Sequence, residues 1–214
     1  MMAKNQDAQL SHEKIKWKMK YDYMHAQMDR VHKGLEGIQN IIGLAERHDL
    51  DTLLFLQQSV NIMAALFKLK AVTIGLRGHD GKYRYEVMSG LRDEAWKFQR
   101  SVVYKEADFS DSPQYKGEMI SKLTKIYLAE DKPFPEAEKE AYNRPLLLGI
   151  KRRSPEDWIE GDYLDVHIRG SNGSLLGWIE VMGTNDGKIP DVTTVKFLET
   201  FSVAIAKRID AKKL

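Results

Sequence analysis

Apolar residues near the start of the chain keep a helical beat. Trp17, Tyr21, Met24, Met28, Val31, Leu35, Ile38, Ile42 and Ala45 follow one another at alternating steps of four and three. This is the a/d seam of a heptad repeat, and it predicts a long amphipathic helix within an N-terminal segment, 1–50. One helix cannot bury such a stripe by itself. A parallel coiled coil in a homodimer would bury it, with Met28, Val31, Leu35, Ile38 and Ile42 at the interface; folding back onto its own domain is the alternative. Gly34 and Gly37 each lower helix propensity by roughly 1 kcal/mol relative to alanine, so the seam is weaker than its spacing suggests.

The remainder, 51–214, reads as one domain. Asp51 is placed to cap a second helix carrying Leu53, Leu56, Val60, Ala64 and Phe67. Strands are expected at 72–77 and 83–89 around the turn Gly78-His79-Asp80-Gly81. Between 90 and 153 the pattern weakens: a strand at 101–104, a helix at 115–128 from the spacing of Met119, Leu123 and Ile126, and a loop with a short helix at 130–144 that includes Pro133 and Pro135. From 158 to 209 it is unambiguous. Tyr163, Asp165, His167 and Arg169 alternate with Leu164, Val166 and Ile168, Ser171-Asn172-Gly173-Ser174 supplies a tight turn, and 175–181 returns as a strand. Asp186-Gly187 and Pro190 end the sheet, and Asp191 caps a helix with Val192, Val195, Leu198, Phe201, Ile205 and Ile209 on one stripe.

The segment formed by Trp158, Gly161-Asp162, Asp165-Val166-His167-Ile168, Gly173, Leu175-Leu176-Gly177, Asp186-Gly187, Pro190 and 201–209 resembles the C-terminal half of a GAF domain. It is most similar to the variety found in microbial, especially archaeal, multi-domain sensor proteins. The likeness covers roughly 50 residues well and the chain from about Leu53 more loosely. His167 stands where that family usually has proline, and Lys188 where it often has arginine. The resemblance implies an α+β fold: a central antiparallel sheet with helices on one face and a variable pocket on the other, preceded here by the dimerising helix.

Composition narrows the chemistry. Basic and acidic residues nearly balance, 33 against 31, so the field needed to hold nucleic acid by counterion release is missing. The absence of cysteine removes disulfides, thiolate catalysis, cysteine-zinc sites and thioether attachment of a tetrapyrrole. No apolar run approaches the roughly 20 residues that span a bilayer, so a cytoplasmic protein without a membrane partner is expected. Phosphate-binding loops and the nucleophile elbow of serine hydrolases are absent, as is the cyclic-nucleotide signature of some GAF domains. No catalytic or metal site is expected: His25 and His32 lie seven residues apart on the helical segment and read as solvated.

Strand alternation turns Asp165, His167 and Arg169 away from the face that Val166 and Ile168 give to the helices, which in GAF domains is the pocket side. Trp96, Tyr104, Tyr127 and Trp158 are candidates for the aromatic wall of that pocket. The charges beside His167 are expected to tune its proton affinity near neutrality. The function that follows is signal sensing, in which a small molecule or a partner protein biases the helices of a homodimer; the cofactor is unknown. The alternative is a dimerisation or interaction module whose pocket is filled by its own side chains. An enzyme of this fold, such as a free methionine sulfoxide reductase, is disfavoured by the missing cysteines.

Overall fold

The computed structural model describes residues 2–110, 116–131 and 136–211. Helix α1 (Met2–Ala45) leads through a turn into α2 (Thr52–Phe67). The α2 N-terminus is capped as the sequence implies, with Leu53 N donating to Asp51 Oδ1 at 2.8 Å. Strands β1 (Val72–Arg77) and β2 (Tyr83–Ser89) form the first hairpin, followed by α3 (Asp93–Ser101). A small hairpin of β3 (Glu118–Met119) and β4 (Thr124–Tyr127) comes next, then short 3-10 turns at Glu136–Ala141 and Pro145–Leu147. Strands β5 (Tyr163–Arg169) and β6 (Leu175–Val181) form the last hairpin, and α4 (Val192–Ala211) closes the fold. Thr194 N donates to Asp191 Oδ1 at 2.7 Å, so Asp191 caps α4.

All six strands join one antiparallel sheet in the order β2-β1-β6-β5-β4-β3. Alternation sends Val72, Ile74, Leu164, Val166, Ile168, Ile179 and Val181 to one face, where they form a core with Phe55, Leu56, Val60 and Met63 of α2 and Leu198, Phe201 and Ile205 of α4. Ile41 and Leu50 are buried in that same core and Ile38 packs against it, so the last turns of α1 are part of the folded unit. Two glycines let α1 approach closely: a Cβ on Gly34 would meet the Phe197 ring at 2.2 Å, and one on Gly37 would meet Leu66 at 2.3 Å. These residues weaken the helix locally but are required by its docking.

Two expectations are corrected. The segment read as a helix at 115–128 is the β3–β4 hairpin. Its turn is organised by Ser121, whose Oγ accepts Leu123 N and Thr124 N while its hydroxyl donates to Glu199 of α4. The 101–104 segment contains the end of α3, and only Tyr104 bridges to a strand residue, Tyr83. Tyr115, Pro133 and Pro135 lie outside the described residues. No helix among the described residues is long and apolar enough to cross a membrane.

Candidate functional site

The face of the sheet opposite the helices carries a row of polar side chains running across four strands. Lys125 of β4 stands opposite Asp165 of β5, Asp165 opposite Glu180 of β6, and Glu180 opposite Thr73 of β1. All four are buried, Asp165 to 4% exposure and Glu180 to 6%. Direct cross-strand neighbours stand about 5 Å apart at Cβ, so two carboxylates are held side by side in the interior. Above them lies a cavity of about 180 Å³. Asp165, Glu180, Trp178, Tyr85, Tyr127 and Tyr163 line it from the sheet, with Tyr104 and Phe109 on one side and Tyr142, Arg144, Trp158 and Glu160 on the other.

Tyrosine hydroxyls satisfy part of this acidic floor. Tyr85 Oη donates to Glu180 Oε2 at 2.9 Å, and Tyr127 hydrogen-bonds Asp165. Asp165 Oδ1 is buried with no hydrogen-bond partner among the described residues. Burial, and then the neighbouring Glu180 carboxylate, push the Asp165 carboxyl well above the usual range, with Lys125 and the Tyr127 hydrogen bond opposing them. Burial likewise raises Tyr85, Tyr127 and Tyr163, with the two carboxylates adding to it, so all three phenols keep their protons at neutral pH. The floor therefore pairs the Tyr85 and Tyr127 hydroxyls with its carboxyls and leaves one fully buried carboxyl oxygen without a partner.

The rest of the fold holds the floor rigid. Trp178 lies across Gly75, where a Cβ would meet the indole at 2.0 Å, and packs edge-on against Tyr85 and Tyr104. The wall around Trp158 is tied by Asp162, which accepts Ala129 N at 3.0 Å, Ile159 N at 2.9 Å and Arg152 at 2.9 and 3.0 Å. Arg152 also grips Glu130 at 2.9 Å, so one guanidinium joins two loops. At the rim Arg144 pairs with Glu160 at 3.0 Å.

Of the residues expected at the pocket, Tyr104, Tyr127, Trp158 and Asp165 line the cavity; Trp96, His167 and Arg169 do not. Trp96 sits on α3, packed beside Ala71, Leu91 and Ala95, with Arg100 over its ring. His167 is on the anticipated face but further along β5, where Phe109 meets its ring edge-on and its Nε2 is buried without a partner. Burial, with Arg169 and Lys125 nearby, pushes its pKa down to about 4, so it is neutral at pH 7 rather than poised there. Arg169 is exposed at the strand end and donates to Gly173 O at 3.0 Å. Missing from the expected set were Glu180, Tyr85, Tyr163 and Trp178. Glu180 had a local signal, as the one charge inside the otherwise apolar 175–181 strand.

No family model and no curated protein matches the sequence. Solved structures do match in shape. The GAF domain of an Acinetobacter phosphoenolpyruvate-protein phosphotransferase superposes with a TM-score of 0.54 at 16% identity, covering 84% of this chain and 93% of that one. The chain has the GAF fold. The GAF domain of a putative sensor histidine kinase from Pseudomonas syringae is similar, with a TM-score of 0.53 at 10% identity over 90% of this chain and 93% of that one. So is a free methionine-R-sulfoxide reductase from Neisseria meningitidis, solved with its substrate, with a TM-score of 0.54 at 12% identity over 84% of this chain and 90% of that one. The matched structures thus include a domain of a putative sensor kinase and an enzyme.

Proposed function

We propose that this GAF domain is a regulatory sensor that binds a small molecule above the β4–β5–β6 floor and transmits occupancy to a homodimer through α1 and α4. The observation that carries the reading is the cavity of about 180 Å³ over the buried pair Asp165 and Glu180, rimmed by aromatic side chains. Transmission has a physical route. Strands β5 and β6 carry the floor on one face and, on the other, Val166, Ile168 and Ile179, which share a core with Phe201 and Ile205 of α4. Arg30 of α1 pairs with Asp191 at the start of α4, and Arg208 near its end holds the end of α1, so the two helices move as one body. A ligand shifts this body only to the extent that it binds two arrangements unequally.

The second reading, an interaction module with a self-filled pocket, is favoured by the cluster of Tyr83, Tyr85, Leu175 and Trp178 with Tyr104 and Phe109, which fills much of the same face. A reductase reaction carried by a thiolate has no side chain here to perform it, since the chain has no cysteine. Native mass spectrometry of protein purified from its own host tests the sensor reading. A dimer mass with a retained small molecule is expected, and a bare chain whose melting temperature responds to no metabolite would favour the interaction module.

A further inference from the structure

We infer that the cavity takes a small aromatic carboxylic acid, its carboxylate held by Lys70 and Arg144 at the rim and its ring lying among the tyrosine and tryptophan side chains over the sheet. This rests on the reading of the cavity as a ligand site and specifies what it takes.

Three features converge on an acid. The first is a pair of cations with open donors. Lys70 and Arg144 both line the cavity, and the Lys70 ammonium makes no hydrogen bond or ion pair among the described residues. Arg144 commits its backbone N–H and its Nε to the two oxygens of Glu160, at 2.8 and 3.0 Å, which leaves its terminal nitrogens open among the described residues. Burial, and then the charge of Arg144, push the Lys70 ammonium below its usual range, with Glu160 and Asp186 opposing them. An anion set between the two cations relieves a repulsion that Glu160, with both oxygens taken, leaves in place. The second feature is that the acids of the lining are engaged elsewhere. Asp162 is held by Arg152, Asp108 accepts Lys105 N at 2.7 Å, and Glu138 has a partner of its own. Asp165 and Glu180 lie on the sheet, away from that end: Thr73 is the cross-strand neighbour of Glu180, whereas Lys70 lies before β1 and donates its backbone N–H to Gly183 O beyond β6, about 10 Å along the strands. The third is the enclosure. Tyr85, Tyr104, Tyr127, Tyr163, Trp158 and Trp178 line the cavity, and flat apolar surfaces of this kind suit an aromatic ring. The volume equals that of about six liquid waters, room for one ring with a short acid arm rather than a dinucleotide.

The fold limits where the ammonium reaches. A Cβ on Gly183 would meet Lys70 Cδ at 3.4 Å and Cβ at 3.6 Å, so the aliphatic stem of Lys70 runs over Gly183, itself part of the lining. Recognition needs no proton transfer, because a carboxylic acid is already ionised at neutral pH. The ammonium donates to one oxygen and the Arg144 terminal N–H groups to the other, and hydrogen bonds between charged partners are stronger than neutral ones. A carboxamide of the same shape forfeits that charge, and an amine sets a third cation beside two.

The test is isothermal titration calorimetry of the whole chain with phenylacetate and indole-3-acetate, each beside its neutral amide and the corresponding amine, phenethylamine or tryptamine. At least one acid is expected to bind tenfold or more tightly than its amide and its amine, a comparison that needs no variant. Lys70→Met, which keeps the stem and removes the charge, is expected to bring the acid down to the affinity of the amide and to leave the amide unchanged, whereas Lys70→Arg is expected to keep the preference for the acid. Lys70 is only half-buried, so both variants should fold, and a melting curve that overlays wild type checks this. An amide or amine bound as tightly as the acid, or an acid bound by folded Lys70→Met as by wild type, would overturn the acid inference and leave the ligand site standing. Failure of both acids would overturn it as well, while native mass spectrometry independently decides whether the cavity holds a ligand at all.

Discussion

Arg208 of α4 donates a hydrogen bond of 3.0 Å to the carbonyl of Ala45, the last residue of α1. The same guanidinium reaches Arg47 O at 2.9 Å and Leu50 O at 2.8 Å. Helix C-termini leave carbonyls without intrahelical partners and carry partial negative charge, so a buried cation there meets both needs. Arg208→Leu would remove all three hydrogen bonds at a buried site and strand the Ala45 carbonyl, at about 1–3 kcal/mol, whereas Arg47 O keeps its bond from Leu50 N at 3.1 Å. A loss on the order of 3 kcal/mol is expected, or roughly 6–12 °C in melting temperature for a domain of this size. Arg208→Lys should recover only a fraction, because an ammonium does not offer a planar fork to three acceptors. A variant melting within a degree of wild type would show that water replaces the contact.

His167 makes the fold sensitive to mild acid. Its pKa is pushed down to about 4 by burial, while the unfolded chain keeps the ordinary 6.5. Between those values the unfolded state binds more protons than the folded one, so stability falls as pH falls through that window. At about 1.4 kcal/mol per pH unit of displacement the full effect is on the order of 3 kcal/mol. His167→Gln, neutral at every pH, should flatten the slope of denaturant-measured stability between pH 6.5 and 4. An unchanged slope would assign the acid sensitivity to other groups.

Asp165 acts with the opposite sign. Its folded pKa is raised, so its contribution is fully present below the unfolded value of about 3.9 and declines as pH rises toward the folded one. At pH 8 the carboxyl is a liability to the unliganded fold. Asp165→Asn is expected to raise the melting temperature at pH 8, with the gain shrinking toward pH 4. Destabilisation at pH 8 would mean that the Tyr127 hydrogen bond and Lys125 outweigh Glu180.

Gly75 and Gly177 are adjacent sites on β1 and β6 with unequal tolerance. A Cβ on Gly177 would meet the carbonyl oxygen of Gly75 at 2.1 Å, a backbone atom that cannot move aside, whereas a Cβ on Gly75 would meet the Trp178 ring. Gly177→Ala should therefore cost more stability than Gly75→Ala, and Gly177→Leu should lower the melting temperature by several degrees or prevent folding. Gly75→Ala should instead displace Trp178 and change its fluorescence. The reverse ranking in thermal melts would show that the sheet, not the indole, gives way.

The elements legible in the sequence were those with an uninterrupted local period. Leu164, Val166 and Ile168 against Asp165 and His167 is a two-residue alternation, and it assigned both faces of β5; Asp51 and Asp191 announced α2 and α4 by a single capping oxygen each. The β3–β4 hairpin was hidden because Met119, Leu123 and Ile126 match a helical step by coincidence. What decides the conformation is Glu199, which accepts the Ser121 hydroxyl and Thr124 Oγ1 from a helix far along the chain. The site was half legible for the same reason. Alternation placed Asp165, but its pairing with Glu180 depends on the register of β5 against β6, which the turn and a bulge at Ile168/Arg169 set. Trp96 was misplaced because its segment is a helix that turns Phe98 and Gln99, not Trp96, to the cavity.

The heptad stripe divides in two once α1 is docked. Gly34, Gly37 and Ile41 face α2 and α4, and Ile38 packs with them; Met24, Met28, Val31, Leu35 and Ile42 remain exposed. An apolar row of this length along one helix is more than a monomer ordinarily leaves in water, and a second copy of the same helix would cover it. Each of these side chains should contribute about 1.5–3 kcal/mol when fully buried across a dimer. Met28→Glu with Leu35→Glu is therefore expected to give a monomer in sedimentation velocity while the melting transition of the sheet domain stays in place. Ile38→Glu should do the reverse, lowering the melting temperature because it drives a charge against the core. A double variant that still sediments as a dimer would rule out α1 as the interface, and a wild-type monomer would remove the dimer from the signalling scheme.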